Sequence, residues 1–190
     1  MKKGGIFAII GVVVVLIAGF LISKYNGMVT MNEKVDAKFS DIDTQLQRRA
    51  DLIPNLVSSV QGYMSHEQAA IDKVTEARTK LMNASTVAEK GEADSALTGA
   101  LTNLLALAEN YPDLKANTNF TTLMDELSGT ENRIATARKD YNDIVKEFNT
   151  LIKRFPNSLL AGMFGFSEKE YFKAAEGANE VPKVDFNTTE

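Results

Sequence analysis

His66 is the only histidine in the chain, and with Glu67 behind it the pair matches the opening of the zinc-protease pattern H-E-x-x-H. Positions 68–70 are Gln, Ala and Ala, so the second metal ligand is missing. A di-iron bundle needs Glu-x-x-His pairs, and the residue three before His66 is Tyr63. With no cysteine anywhere, thiolate metal sites, disulfides and cysteine nucleophiles are excluded. Asp41 and Asp43 stand two apart in a helical stretch, which turns them to different faces and suits a solvated surface better than an acid–base pair. No glycine-rich phosphate loop, nucleophile elbow or Ser/His/Asp arrangement occurs. The expectation is a protein that is not an enzyme and uses no cofactor or metal.

The remaining chemistry lies in a polar layer. Arg49 falls on an otherwise apolar helical seam between Arg48 and Asp51, and Glu131, Asn132, Arg133, Arg138 and Asn142 gather near the middle of a second seam. A buried arginine is seldom left unpaired. The layer therefore reads either as an ion-pair and amide network that fixes helix register, with Glu131 as the first candidate partner of Arg49, or as a polar groove for a ligand near Arg49 and Arg138.

Long helices must position these residues. Val35, Phe39, Ile42, Leu46, Arg49, Ile53, Leu56, Val60 and Tyr63 step by alternating fours and threes, a sustained heptad seam. Ala70, Val74, Ala77 and Leu81 continue it. Pro54 removes a backbone donor, and Ser65-His66-Glu67-Gln68 has the form of a capping box, so the expectation is a first helix over 28–63, kinked at Pro54, and a second over 66–84. Residues 85–94 suit a connection. Leu97, Leu101, Leu104, Leu105 and Ala108 form the stripe of a third helix that Pro112 stops. Behind the capping residues Asn117 to Asn119, the second long seam runs through Phe120, Leu123, Leu127, Ile134, Tyr141, Ile144, Phe148, Leu151 and Phe155. Two such seams predict an all-α antiparallel bundle with coiled-coil-like packing over 28–156. In the tail, 157–190, Ser167-Glu168-Lys169-Glu170 predicts a short helix ending at Gly177, and 181–186 reads as extended.

Residues 6–22, IFAIIGVVVVLIAGFLI, hold no charge and are bracketed by Lys2, Lys3 and Lys24. As a helix they rise about 25 Å, enough to span a bilayer once the lysine stems reach outward. No small-residue cleavage pattern follows, so residues 1–24 are expected to stay as a single-pass anchor in the cell membrane, binding lipid through 6–22. The short basic segment before the apolar run places the amino terminus inside and the domain outside the cytoplasm. Setting Lys2 and Lys3 aside leaves 19 basic side chains against 25 acidic ones, which excludes a nucleic-acid partner.

The wording of both long helices resembles the bacterial LemA family. The run Arg48-Arg49-Ala50-Asp51-Leu52-Ile53-Pro54-Asn55-Leu56-Val57 carries it, with Gly62-Tyr63 and His66-Glu67 behind. So do Tyr111-Pro112-Asp113-Leu114-Lys115-Ala116-Asn117, Leu127, Glu131-Asn132-Arg133-Ile134-Ala135, Ala137-Arg138, Tyr141-Asn142, Phe155-Pro156 and Gly165-Phe166. The similarity covers residues 33–186. It implies a membrane-anchored, up-and-down four-helix bundle without catalytic residues, partnered with membrane proteins or with itself. A scaffold or adaptor role is the function expected.

Overall fold

The computed structural model describes residues 3–173, all of whose regular structure is helical. The order is α1 (Lys3–Gln61), α2 (Gln68–Asn83), α3 (Val87–Ala108), α4 (Pro112–Lys115), α5 (Thr118–Lys153) and α6 (Asn157–Phe164). The chain divides into two compact units. Of the described residues, one comprises 3–45 and 132–171; the other comprises 46–131 together with 172–173.

In the first unit α1 and α5 run side by side in opposite directions. Lys38 Nζ lies 3.5 Å from Asp140 Oδ2, and the Phe39 and Tyr141 rings are 5.9 Å apart, while further along α1 Tyr25 meets Phe164 and Phe166. Met28, Val35 and Ile42 of α1 are buried, and Ile134, Tyr141, Val145, Phe148 and Ile152 of α5 are buried in the same unit. Val145 and Ile152 replace the expected Ile144 and Leu151, which are half-buried, because two four-residue steps follow each other around Tyr141 and advance the seam. Phe155 leaves the seam altogether: α5 stops at Lys153, and the Phe155 side chain is 82% exposed.

The apolar segment 6–22 and the first long helix are a single helix, with no break at 23–27. Pro54 lies inside it without ending it. Proline at this position leaves the Ala50 carbonyl without its helical donor. Arg78 Nε donates to that oxygen at 2.8 Å, so a side chain of α2 closes the gap. The heptad seam holds through Val60, but Met64 rather than Tyr63 is buried, since α1 ends at Gln61 and the chain turns there.

The second unit differs from expectation at its joints. The Ser65 box does not form; α2 is capped by Glu67 without a side-chain bond, and His66 sits in the exposed turn before it. The connection expected over 85–94 is already helix. Thr86 Oγ1 accepts from Glu89 N, and Glu89 Oε2 accepts from Ser85 N and Thr86 N, a reciprocal cap that starts α3 at Val87. Those two amides hold the Glu89 carboxyl below the usual carboxylate range. α2 and α3 then pack along each other, burying Ile71, Val74 and Leu81 with Leu97, Leu101 and Leu104. Asn117 caps α5, its Oδ1 accepting from Asn119 N at 2.9 Å and Phe120 N at 3.2 Å.

Of the helix expected from the Ser167 box to Gly177, the described part, through 173, is not helical. Asn149 holds this stretch extended, donating from Nδ2 to Lys169 O and accepting from Lys169 N, both at 2.9 Å, and Tyr141 Oη donates to Glu170 O at 2.9 Å. With those backbone groups claimed by α5 side chains, a helical turn gains nothing. The apolar stretch before it is α6, ended by Gly165 at φ 76°, a left-handed position that glycine takes without a Cβ clash. In the second unit Phe172 is buried with its ring against Gly91, where a Cβ would stand 3.3 Å from Cε1. Gly177 and the segment 181–186 lie outside the described residues.

Candidate functional site

The polar residues divide between the two units. In the second, Arg49 projects from the α1 seam, and its Nη1 lies 2.7 Å from Asp94 Oδ1 of α3, each side chain only 4% exposed. The expected partner, Glu131, is exposed instead. Asp94 reaches the core because the Thr86 cap starts α3 early enough to put Lys90, Ala93, Asp94 and Leu97 on its inward stripe, and Lys90 is buried there as well. The signal that identifies Asp94 is Thr86-Val87-Ala88-Glu89, a capping-box pattern sitting in what reads as a small-residue connection. Arg48 and Asp51 stand off the seam and are exposed; Asp51 accepts a bond from Gln47 Nε2 at 2.8 Å.

At one end of this unit the sequence blocks around Tyr63 and Tyr111 meet. Asn117 Nδ2 donates to Tyr63 Oη at 3.1 Å, and Tyr111 Oη donates to Glu67 Oε1 at 3.4 Å. Burial and the Glu67 charge raise the Tyr111 hydroxyl pKa above its ordinary value. This knot ties the turn after α1 to α4 and the start of α5, which gives Tyr63, Glu67, Tyr111 and Asn117 a structural use.

In the first unit Asn132 and Arg133 are exposed, and Arg138 and Asn142 are half-buried. Arg133 lines an open pocket of about 250 Å³ with Gln45, Asp41 and Asp140. Gln45 Oε1 is buried there without a hydrogen-bond partner among the described residues. Charges of both signs line this pocket, and it is smaller than the usual small-molecule site of about 300–1,000 Å³. Asp41 is engaged by Lys38 at 3.1 Å. Among the described residues no three of His, Cys, Asp and Glu cluster closely enough to hold a metal ion.

The sequence model of the LemA family matches residues 38–186, most of the chain. The chain belongs to the LemA family. Among relatives, this LemA family member is 28% identical over 213 residues to magnetosome protein MamQ 2 of Paramagnetospirillum magneticum, covering 97% of this chain and 78% of that one. It is 26% identical to magnetosome protein MamQ of Magnetospirillum gryphiswaldense, over 90% of this chain and 74% of the other. It is 28% identical to protein LemA of Metamycoplasma hominis, over 89% and 76%. None of these names states a catalytic activity. Like the family resemblance read from the sequence, the match runs through Arg49, Tyr111 and Tyr141.

The α1 helix is long and apolar enough to cross a membrane, and its apolar window near the amino terminus is wholly unburied. Phe7, Val15, Leu16 and Ile22 all stand exposed.

Proposed function

We propose that this LemA family protein is a membrane-tethered, non-enzymatic scaffold or adaptor, held in the cell membrane by one pass of residues 6–22 with the amino terminus inside and the domain that follows outside the cytoplasm. Its helices form an antiparallel four-helix bundle with coiled-coil-like seams, and its partner is a membrane protein or a second copy of itself, not a nucleic acid. The observation that carries this reading is the continuity of α1, whose exposed apolar segment passes without interruption into a buried seam beginning at Met28. Such a helix serves to hold a surface at a membrane. Arg49, the buried cation of the predicted polar layer, is paired with Asp94, which supports a structural use for that residue.

Cross-linking of the full-length protein in native membranes, followed by mass spectrometry, tests it. A defined partner or a second copy linked through exposed lysines such as Lys73 or Lys146 is expected. A chain that stays monomeric and unlinked would overturn the scaffold reading. Protease protection in sealed spheroplasts tests the orientation, with cleavage in the soluble part expected from outside.

The second reading, a ligand-sensing bundle, is expected from the sequence to use a polar site near Arg49 and Arg138; the pocket that favours it is instead the one beside Arg133, lined by neither of them, where the buried Gln45 oxygen offers an acceptor. A thermal-shift screen of the full-length protein in detergent separates the two: reproducible stabilisation by a metabolite, abolished by Arg133→Ala, would favour sensing.

A further inference from the structure

The end of α5 and the helix α6 carry a cluster of large apolar side chains that nothing in their own unit covers. Phe155 is 82% exposed, Leu159 63% and Met163 77%, while Leu160 and Ala161 on the other side of α6 are buried. Leu159 and Met163 are four residues apart and so share a face. Large apolar side chains exposed on α6 and just before it call for an occupant.

The position of the corner along α1 identifies it. Tyr25 follows the apolar segment by three residues, about 4.5 Å of helix. Its ring contacts Phe164 of α6, centroids 4.8 Å apart and edge-on, and lies 6.0 Å from Phe166. The register of the two long helices agrees. Starting from the Phe39–Tyr141 contact and moving in opposite chain directions, α5 runs twelve residues to its end at Lys153 and α1 fourteen to Tyr25, so the end of α5 lies close to the Tyr25 level. The apolar segment, about 25 Å long, falls short of a hydrocarbon core of about 30 Å, which draws the Tyr25 level into the interfacial zone. The charges nearby suit such a zone. Lys24 sits 5.4 Å over the Phe20 ring, and Arg154 is exposed directly before Phe155.

We infer that Phe155, Leu159 and Met163 insert into the bilayer interface beside Tyr25, so that α6 is a second membrane contact that lies on the surface while α1 crosses it. The proposal rests on the tether reading above. An apolar face next to interfacial cations is what a short surface-lying helix uses, with the acyl boundary as its occupant. The contact sets the depth at which α1 stops and prevents the domain from tilting away from the membrane.

The chain contains no tryptophan, so a single introduced one reports its own surroundings. Full-length protein is reconstituted in vesicles of phosphatidylcholine and phosphatidylglycerol, with and without brominated acyl chains, as Met163→Trp, Leu159→Trp, Leu16→Trp and the exposed Thr121→Trp. Circular dichroism verifies that each retains its helicity. Loss of emission in brominated lipid for Met163→Trp and Leu159→Trp, comparable to Leu16→Trp and absent in Thr121→Trp, is the expected result. Quenching of Leu16→Trp alone would overturn the second contact and leave the tether standing. Quenching of none of the three would overturn both. A blue-shifted but unquenched Met163→Trp would mean that protein, such as a second copy, covers the corner, and would equally reject the lipid contact.

Discussion

Arg49 and Asp94 meet almost out of reach of water, and their separation of 2.7 Å makes the bond short and charge-assisted. Breaking such a pair from one side typically costs about 3–5 kcal/mol, because a buried charge is left alone. Arg49→Met and Asp94→Asn should each destabilise strongly in denaturant unfolding, and the double variant should recover much of the loss; additive losses would deny the pairing. The arginine was legible in the sequence because a charge on a four-three seam must face inward. Its partner was not, since the spacing of one helix does not say which neighbouring face it meets. Tyr141 allows a test by pH. Burial, then the Asp36 and Glu170 charges, push its hydroxyl up to about 12. An unfolded tyrosine ionises near 10, so the raised value contributes stability that is fully present below about 10 and lost as pH rises towards 12. In alkaline unfolding titrations, Tyr141→Phe should flatten the decline across that window. At neutral pH it should cost only about 1 kcal/mol for the lost bond to the Glu170 carbonyl.

At the scale of the elements, the seams were readable and the joints were not. Apolar spacing reports a helix interior over many turns, and Ile42, Leu46, Ile53, Leu56, Leu97, Leu101 and Leu104 are all buried where that spacing puts them. Ends depend on single hydrogen bonds. Thr86 was hidden among small residues, while Ser65 had the right pattern and forms no cap. Replacing Thr86 by Ala should therefore cost about 1 kcal/mol, and Ser65 by Ala close to nothing, by the same unfolding measurement. Pro54 illustrates a break that tertiary structure repairs. Arg78→Leu should destabilise by about 1–3 kcal/mol because the Ala50 carbonyl loses its only compensating donor. In a Pro54→Ala background, where residue 54 regains an N–H, the same change should cost clearly less. Equal costs in both backgrounds would reject the compensation.

For the whole molecule, a retained anchor requires that the protein stay with the membrane pellet in 1 M salt and in alkaline carbonate, and leave it only with detergent; release by salt alone would reject a spanning segment. The apolar segment was plain in the sequence from its run of 17 uncharged residues, yet its helical fusion to the rest of α1 was not, because the apolar run ends at Ile22 and the heptad seam starts only at Val35. That fusion fixes rotation as well as height. A helix turns about 100° per residue, so the lipid-facing sides of the anchor and the inward azimuth of Met28, Val35 and Ile42 are locked in phase like teeth cut on one shaft. Inserting one alanine after Gly27 would turn the part of α1 beyond it by about 100° about the helix axis, while four would return it to within about 40°. One alanine also turns Tyr25 away from Phe164 and Phe166 and should weaken that contact, whereas four bring its ring back to nearly the same side. What they change is which flank of the domain faces a given neighbour in the plane of the bilayer, and a flexible tether of the same length would be indifferent to both.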